Sequence, residues 1–462
     1  MKKFFVSLGA AAAGMASLHA AYSPDSTGNS KLWSLSASLR GFYDDNYLTL
    51  PEHTPPNSPH KVGSFGVELS PSFSLNVPLQ QTEIGVRYVY GLYYYQQRES
   101  NNQKAIDQTH QFDLWVDHAF TPRWEARVED TVHVTQDPAL TSVATGTPQR
   151  VSGNNIANTA TVSLQTDWTR QFGTVLNYVN TFYDYENSGA GPVTPAVPAT
   201  LFSAGPPPIY FIGTGSPQSV AASYAGLLDR VEQTIGVNFK WAFSPTTTGL
   251  IGYSFGLVNF TGNEQIAFSQ AFPYTGPATP VFSNARDSMS HYGFVGVQHD
   301  FLDNLSGSAN VGIQYTTYYN DPSATSSLGP YADASLIYTY ASGSYAQLGV
   351  TQSRNATDTV QVDSNGHITQ DQESTVVYAS VNHPLTPKLM GSVVGHYQYS
   401  VYNQGQFNSQ SAEFYNVGLN LTYQFNRHFG TDLGYNFDWY TTPVPGQNYT
   451  RNRVYLGVTA TY

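Results

Sequence analysis

Apolar and polar residues alternate along most of this chain. Near the C-terminus, Tyr415, Val417 and Leu419 are separated by Asn416 and Gly418, and the alternation returns after each short polar break. Successive side chains of a β-strand point to opposite faces, so a period of two predicts strands with one apolar and one polar face. The pattern begins at residue 33 and continues to residue 462, which predicts a chain made mainly of strands.

The predicted strands end in a recurring way. An aromatic residue or Leu on the apolar face precedes a short turn that is rich in Pro, Gly, Asn, Asp and Ser, the residues that tight turns favour. This happens at Phe120, Trp168, Phe243, Phe301, Tyr340, Leu385 and Phe425. Longer connections lie between these turns, at 137–154, 187–226, 261–284, 320–329 and 358–370. The repeated unit is therefore a β-hairpin.

Short turns on one side and long loops on the other are typical of outer-membrane barrels, whose turns are periplasmic and whose loops are extracellular. Counting the hairpins predicts an all-β, transmembrane, antiparallel up-and-down β-barrel of about 18 strands, with about 16 as the alternative. The last strand stops on an aromatic residue of its apolar face, Tyr462, as expected for a strand that closes such a barrel.

The composition supports a membrane protein without spanning helices. Charged residues make up 11% of the chain, against roughly 25% in soluble domains. After the N-terminal segment, no stretch approaches the roughly 18 consecutive apolar residues that a spanning helix needs. Because every backbone group in hydrocarbon must be paired internally, a closed sheet is the remaining solution.

The N-terminal segment predicts export. Lys2 and Lys3 precede an apolar run that ends in small residues near Ala21, as in a secretory signal peptide. We expect residues 1–21 to be cleaved, and residues 22–462 to form a single barrel domain in the cell outer membrane. The formal net charge of −12 argues against nucleic acid as a partner, and the absence of Cys excludes disulfides and thiol chemistry.

The apolar face is expected to meet lipid. Its aromatic residues just before the short turns predict a periplasmic aromatic girdle of Phe120, Trp168, Phe243, Phe301 and Phe425. His118, His299 and His383 each lie two residues before such a position. We therefore expect these histidines at the membrane interface, on separate strands, rather than together at a metal site.

The polar face is expected to line a water-filled pore. The predicted pore-lining residues are Glu68, Arg87, Asp113, Asp117, Glu125, Arg127, Glu129, Asp432, Asp438 and Arg453, and acids outnumber bases on this face. Two interpretations remain open: the acids bias the pore toward cations, or they only keep the lumen hydrated. Glu125, Arg127 and Glu129 also fit either a charged constriction or an ion-pair ladder that stiffens the wall.

The longest predicted loop, 187–228, contains no Lys, Arg, Asp or Glu and has an apolar centre at 209–212. Loops of this length are usually functional or disordered. Our hypothesis is that it folds over or into the pore and narrows it. A flexible external loop and a contact with another subunit are the alternatives.

Two short motifs are weak candidates for chemistry. Ser254 lies in a Gly-x-Ser-x-Gly sequence, but the alternation continues through it, whereas a nucleophile elbow needs a strand-to-helix turn. Asp363 begins a sequence similar to a calcium loop, yet Ser374 stands where that loop has Glu. We therefore predict no catalytic residues, no metal site and no cofactor.

The girdle-and-turn sequences Phe120-Thr121-Pro122 and Leu385-Thr386-Pro387, with the terminal strand 454–462, resemble those of Gram-negative outer-membrane β-barrel porins. The chain is most similar to the putative β-barrel porin and outer-membrane β-barrel protein families. The resemblance covers about residues 33–462. It implies that the terminal strand ending in Tyr462 acts as the signal for the barrel assembly machinery, although Phe is the commoner last residue.

Together these features predict a non-enzymatic porin for passive diffusion of small hydrophilic solutes or ions. The alternatives are an outer-membrane component of a polysaccharide export system and a structural or adhesive barrel. The expected partners are outer-membrane lipid and lipopolysaccharide, the barrel assembly machinery and the diffusing solutes. A homo-oligomer is also considered, because the outward face at Gly391, Val393 and Gly395 fits a subunit contact as well as lipid.

Overall fold

The computed structural model describes residues 32–52, 60–100, 104–135, 155–186, 191, 193–198, 201–204, 209–212, 215–216, 218–321, 323–324 and 326–462. The predicted signal peptide lies outside the described residues, as does part of the loop 187–228. Within the described residues, eighteen long strands form one antiparallel sheet that closes on itself. The prediction of an 18-stranded barrel is confirmed.

The barrel strands follow one another around the sheet in chain order. They are β1 (Trp33–Asp44), β2 (Ser64–Pro78), β3 (Thr82–Tyr95), β4 (Ile106–Thr121), β5 (Trp124–Thr135), β6 (Asn155–Asp167), β7 (Phe172–Tyr185), β12 (Arg230–Ser244), β13 (Thr247–Phe260), β16 (Ser288–Leu302), β17 (Leu305–Tyr318), β18 (Ser327–Ala341), β19 (Ser344–Asn355), β20 (Asp371–Thr386), β21 (Leu389–Asn403), β22 (Ser411–Gln424), β23 (Phe429–Thr441) and β24 (Tyr449–Thr461).

The long connections contain short elements of their own. These are α1 (Gln96–Ser100), β8 (Val193–Thr194), β9 (Leu201–Ala204), β10 (Ile209–Ile212), β11 (Ser219–Val220), α2 (Tyr224–Leu228), β14 (Gln265–Ser269), β15 (Thr279–Phe282) and a 3-10 turn (Ser283–Arg286). None of the helices among the described residues is long and apolar enough to cross a membrane.

The barrel closes where its first strand meets its last. β1 pairs with β24 from Ser36–Thr461 to Asp44–Arg453, and β1 pairs with β2 on its other side. The first and last strands therefore have no free edge, which removes the unpaired backbone groups that hydrocarbon cannot satisfy.

Side chains alternate across the wall as a strand requires. On β1, Leu35 and Leu39 are exposed on the outside, whereas Ser38 faces inward and is buried. Close packing on the inside also constrains single positions. A Cβ atom at Gly85 would lie 1.8 Å from the ring of Trp115 on the neighbouring strand, so only glycine lets this indole cross the inner wall.

Candidate functional site

The inner wall of the barrel carries many charged side chains. All ten residues predicted to line the pore lie on inward-facing positions of the strands: Glu68, Arg87, Asp113, Asp117, Glu125, Arg127, Glu129, Asp432, Asp438 and Arg453. The structure joins most of them in two networks on different parts of the wall, whereas Asp438 accepts a hydrogen bond from Asn416 at 2.6 Å.

The first network spans the seam between β1 and β24. Arg40 on β1 binds Glu68 on β2, with 3.0 Å between Nη1 and Oε1, and Asp432 on β23, with 2.7 Å between Nε and Oδ2. Arg453 on β24 approaches Glu68 at 3.5 Å. Two arginines and two carboxylates thus tie four strands together across the closure. Since the cations and anions balance, this network is better suited to holding the wall than to selecting ions.

Several members of the seam were not among the residues selected from the sequence. Arg40 alternates with the apolar residues of β1 and was not chosen as a pore-lining candidate. Above it, Arg451 on β24 donates from Nε to Oδ2 of Asp44 at 2.8 Å, and both residues are almost fully buried. Alternation places these residues inward, but their pairing depends on the contact between the two ends of the chain.

The second network lies on β3, β4 and β5. Arg87 binds Asp113 with 2.7 Å between Nε and Oδ2. Nearer the periplasmic turns, Arg127 contacts Asp117 at 3.4 Å and also binds Glu129. Arg127 therefore pairs with one acid of its own strand and one of β4, and the choice between a charged constriction and a ladder that stiffens the wall stays a prediction.

Two further acids lie beside these ion pairs. Glu83 accepts a hydrogen bond from Asn76 at 2.9 Å, and Glu125 makes no ion pair within the part of the chain that the structure describes. Glu83 pairs with Asp117 in the sheet, and Glu125 lies beside Ala119 on the same edge. Four carboxylates consequently surround the single guanidinium of Arg127, and this part of the inner wall has an excess of negative charge.

The extracellular end of the barrel is covered on one side by three connections, 219–229, 261–287 and 356–370, which we call the cap. Apolar side chains from all three meet in one cluster that contains Leu227, Ile266 and Ile368. Backbone groups also join the connections: the amide of Phe272 donates to the carbonyl of Ser364 at 2.8 Å. The cap is therefore a packed unit.

Arg286 is the residue that joins the cap. Its side chain is 1% exposed and lies 4.4 Å from the ring centre of Phe260. The guanidinium donates to the carbonyls of Leu227 at 3.1 Å, Gln370 at 3.4 Å and Thr357. Burial, with the nearby charge of Arg230, lowers the pKa of Arg286 to about 9. It nevertheless remains a cation at neutral pH, because this pKa is still above 7.

Beneath the cap lies a cavity of about 140 Å³ on the inner wall. Glu232, Tyr292, Gln314, Arg354 and Asp371 are among its lining residues. The amide nitrogen of Gln314 donates to the hydroxyl of Tyr292 at 3.0 Å, and Nη1 of Arg354 binds Asp371 at 3.1 Å. The cavity is polar and carries both signs of charge.

The structure places only part of the loop 187–228. Its last element, the short helix α2, is capped at its N-terminus by Ser223, whose hydroxyl accepts a hydrogen bond from the amide of Gly226. Leu228 packs against Tyr183 and Tyr185, which point inward from β7. This end of the loop thus belongs to the cap, whereas the path of the whole loop stays a prediction.

The predicted girdle residues lie on the outside beside the short turns. Phe120, Trp168, Phe243, Phe301 and Phe425 are all more than half exposed. His118 and His299 pack edge-on against Phe120 and Phe301, with ring centres 4.4 and 4.7 Å apart. Each histidine also shares a hydrogen bond with a Thr hydroxyl of the neighbouring strand. His383 stacks on Tyr340.

The weak motifs have ordinary surroundings. Ser254 lies in mid-strand, on an inward position of β13 that pairs with Gly236 and Tyr292. Asp363 caps a turn, since its Oδ1 accepts the backbone amides of Asn365 at 2.8 Å and His367 at 2.9 Å. Among the described residues, no group of three or more His, Asp or Glu side chains could hold a metal ion.

Residues 276–462, less than half of the chain, match the family described as putative beta-barrel porin 2. No curated protein matches the chain. Similar solved structures include OccAB4 of Acinetobacter baumannii, at 12% identity and a TM-score of 0.40, covering 94% of this chain and 99% of that chain. A BenF-like porin from Pseudomonas fluorescens Pf-5 has 10% identity and a TM-score of 0.44, covering 93% of this chain and 99% of that chain. These likenesses are too distant to indicate a solute.

The closed sheet and its apolar exterior place the protein in the outer membrane, because such a barrel satisfies every strand edge while presenting apolar side chains to lipid. The predicted resemblance to β-barrel porins is confirmed by the match over β15 to β24, where the chain is similar to the family described as putative beta-barrel porin 2.

Proposed function

We propose that the protein is a porin through which small hydrophilic solutes and ions diffuse passively across the outer membrane. The observation that carries the proposal is a closed 18-stranded barrel with a charged inner wall and an apolar outer wall. A barrel of this strand number is wide enough to enclose water. Passive diffusion requires no catalytic group, cofactor or energy source.

The second network gives the pore a preference for cations. Glu83, Asp117, Glu125 and Glu129 surround one Arg127, so a diffusing ion meets a negative potential near the periplasmic end. Such a cluster of acids attracts cations and repels anions. The effect weakens in strong salt, because the Debye length falls from about 10 Å at 0.1 M to about 3 Å at 1 M.

The cap narrows the extracellular mouth. Its three connections leave the barrel at different strands, yet they meet at Arg286, so they must extend over the lumen. The end of the loop 187–228 contributes α2 to this structure. This placement of its last residues supports the hypothesis that the loop narrows the pore.

Assembly follows the route of other barrels of this class. The terminal strand ending in Tyr462 serves as the signal for the assembly machinery, after export by the cleaved peptide 1–21. The outer wall then contacts lipid and lipopolysaccharide.

The proposal is tested by the conductance and reversal potential of the refolded mature chain in planar bilayers under a potassium chloride gradient. We expect discrete open steps and a potassium preference. The double variant Glu83→Gln/Glu125→Gln should lower the potassium-to-chloride permeability ratio by on the order of twofold at about 0.1 M salt. Arg127→Gln should raise the ratio.

Glu413→Gln is the matched control, because Glu413 carries the same charge on an outward position of β22 and binds Tyr415. It should leave the ratio unchanged. A folded barrel that shows no conductance would contradict transport. A ratio that is insensitive to the inward substitutions would contradict the selectivity mechanism alone.

A further inference from the structure

The outer wall contains a charged side chain at a depth where lipid tails are expected. Asp130 on β5 pairs with Leu114 and Ala160, which are outward-facing, and Val128 and Val132 flank it along the strand. It lies six residues after Trp124 at the periplasmic end. A tilted strand rises about 2.5 Å per residue along the barrel axis, which puts Asp130 about 15 Å into an apolar band that is about 25 Å tall.

Asp130 is part of a polar strip that crosses four strands. Ala160 on β6 pairs with Asn180 on β7, and Asn180 pairs with Gln233 on β12. Asn158 lies beside Ala160 and donates to Asp130 at 2.6 Å. We call Asp130, Asn158, Asn180 and Gln233, with Ala160 at the centre, the polar strip.

The polar strip is not satisfied by its own barrel. Asn158 supplies one hydrogen bond to Asp130, but no cation lies within ion-pair distance of this carboxylate in the part of the chain that the structure describes. The side-chain amides of Asn180 and Gln233 make no hydrogen bond to any described residue. In hydrocarbon, unpaired amides and carboxylates are destabilising, and acyl chains offer them neither donors nor acceptors.

A polar group elsewhere on the barrel shows the contrast. On β19 and β20, Gln352 binds Glu373 at 2.7 Å and Thr375 binds Gln352 at 2.5 Å. The charge of Glu373 is balanced by Arg354 at 3.1 Å. That group is paired within one chain, whereas the polar strip has a carboxylate and two amides available for a partner.

We propose that the polar strip is the contact between two copies of this chain in the membrane. Amide side chains both donate and accept hydrogen bonds, so the same strip on a second copy complements it. Ala160 at the centre has no bulk to keep the two walls apart. The strands of the two copies can therefore approach closely enough for their short polar side chains to touch. The two copies are related by a two-fold axis along the membrane normal, which passes near Ala160.

The absence of Cys from the sequence makes the test direct, because an introduced thiol is the only one in the protein. Ala160→Cys places a thiol at the centre of the strip. Ala334→Cys is the matched control, since Ala334 is also a half-buried, outward alanine in mid-strand, on β18 between Ala309 and Val350. Both variants are refolded as mature chains in lipid vesicles and treated with a short thiol-specific cross-linker.

We expect Ala160→Cys to give a cross-linked dimer and Ala334→Cys to remain monomeric. Adding Asp130→Leu and Asn180→Leu to Ala160→Cys should abolish the dimer while the barrel stays folded, as judged by its heat-dependent migration on gels. Leucine suits a lipid-facing position, so these substitutions preserve the monomer.

Three results would overturn the proposal. One is a folded Ala160→Cys variant that stays monomeric although a small maleimide labels its thiol. Equal cross-linking of the Ala334→Cys control would show that the cross-linked dimers form by random encounters between barrels. Persistence of the dimer in the leucine variant would show that the polar strip does not hold the copies together.

Discussion

Asp229 shows how a single residue couples the cap to the barrel. It follows α2, and its backbone amide donates to the carbonyl of Ala225 at 3.0 Å. Its Oδ1 accepts the amide of Tyr185 at 2.8 Å, and only 8% of the residue is exposed. Burial raises the pKa of this carboxyl to about 6; the Tyr185 hydrogen bond and Arg230 oppose the shift, whereas Asp184 and Glu264 add to it.

The raised pKa of Asp229 predicts a tighter cap in acid. The docked carboxyl is protonated below about pH 6, whereas a released one stays ionised until about pH 4, so docking is strongest at low pH and weakens as pH rises to about 6. Acidifying the extracellular side from about pH 7 to about pH 5 should therefore lower single-channel conductance or lengthen closures.

Asp229→Asn keeps an acceptor for Tyr185 but cannot ionise. It should show at neutral pH the low conductance that the wild type shows in acid, and its response to acid should shrink. Asp287, whose pKa is also raised by burial, is expected to account for the part of the acid response that remains in this variant. Asp303→Asn, in an exposed periplasmic turn, is the control and should respond like the wild type. An unchanged response in Asp229→Asn would exclude this residue as the sensor.

At the scale of the element, the terminal strand completes the barrel. The backbone of Tyr462 exchanges two hydrogen bonds with Leu35, at 2.8 and 3.2 Å. Its ring lies 5.6 Å from the ring of Trp33 and is 63% exposed on the outside. The last residue thus joins the last strand to the first strand at the periplasmic end. An assembly factor can reach this position before the barrel closes.

This arrangement predicts that the ring of Tyr462 matters for assembly more than for stability. Tyr462→Ala retains both backbone hydrogen bonds and loses the contact with Trp33, so we expect slower or less complete insertion in cells. Tyr462→Phe should insert normally. The measurement is the fraction of heat-modifiable barrel in outer membranes over time.

Phe425→Ala provides the control for this experiment, because it removes a similarly exposed girdle ring away from the chain end. It should assemble at the normal rate. Equal defects in both variants would indicate a general need for girdle aromatics rather than a terminal signal.

At the scale of the whole molecule, the cap joins strands that are distant around the barrel. Arg286 follows β13 and β15, but it binds carbonyls of Thr357 and Gln370 that flank the connection between β19 and β20. Three carbonyls and the ring of Phe260 replace water around its charge. The buried cation thus adds to the apolar cluster in holding the mouth of the barrel.

Removing this cation should open the mouth. In Arg286→Ala, the three carbonyls lose their hydrogen-bond donor, and they regain contact with water most easily if the three connections separate. We therefore expect a higher conductance. The ion preference should not change, because the acids near Arg127 are untouched. Arg170→Ala, in an exposed periplasmic turn, is the control. Unchanged conductance in a folded Arg286→Ala barrel would show that the cap does not restrict passage.

The sequence by itself determined the strands, their number, the sidedness of turns and loops, and which residues point inward. These properties are local, because a period of two assigns each side chain to a face without knowledge of its neighbours. Glu68, Asp432 and Arg453 were placed on the inner face for this reason, and Arg40 could have been selected by the same rule.

Only the tertiary structure decided which charges meet. Arg40 and Asp432 are 392 positions apart and become neighbours through barrel closure. Arg286 lies in a loop without a regular pattern, and its partners are backbone carbonyls that no side-chain pattern marks. The surroundings of Asp130 on the outer wall likewise depend on sheet register, since pairing between strands determines which residues lie next to it.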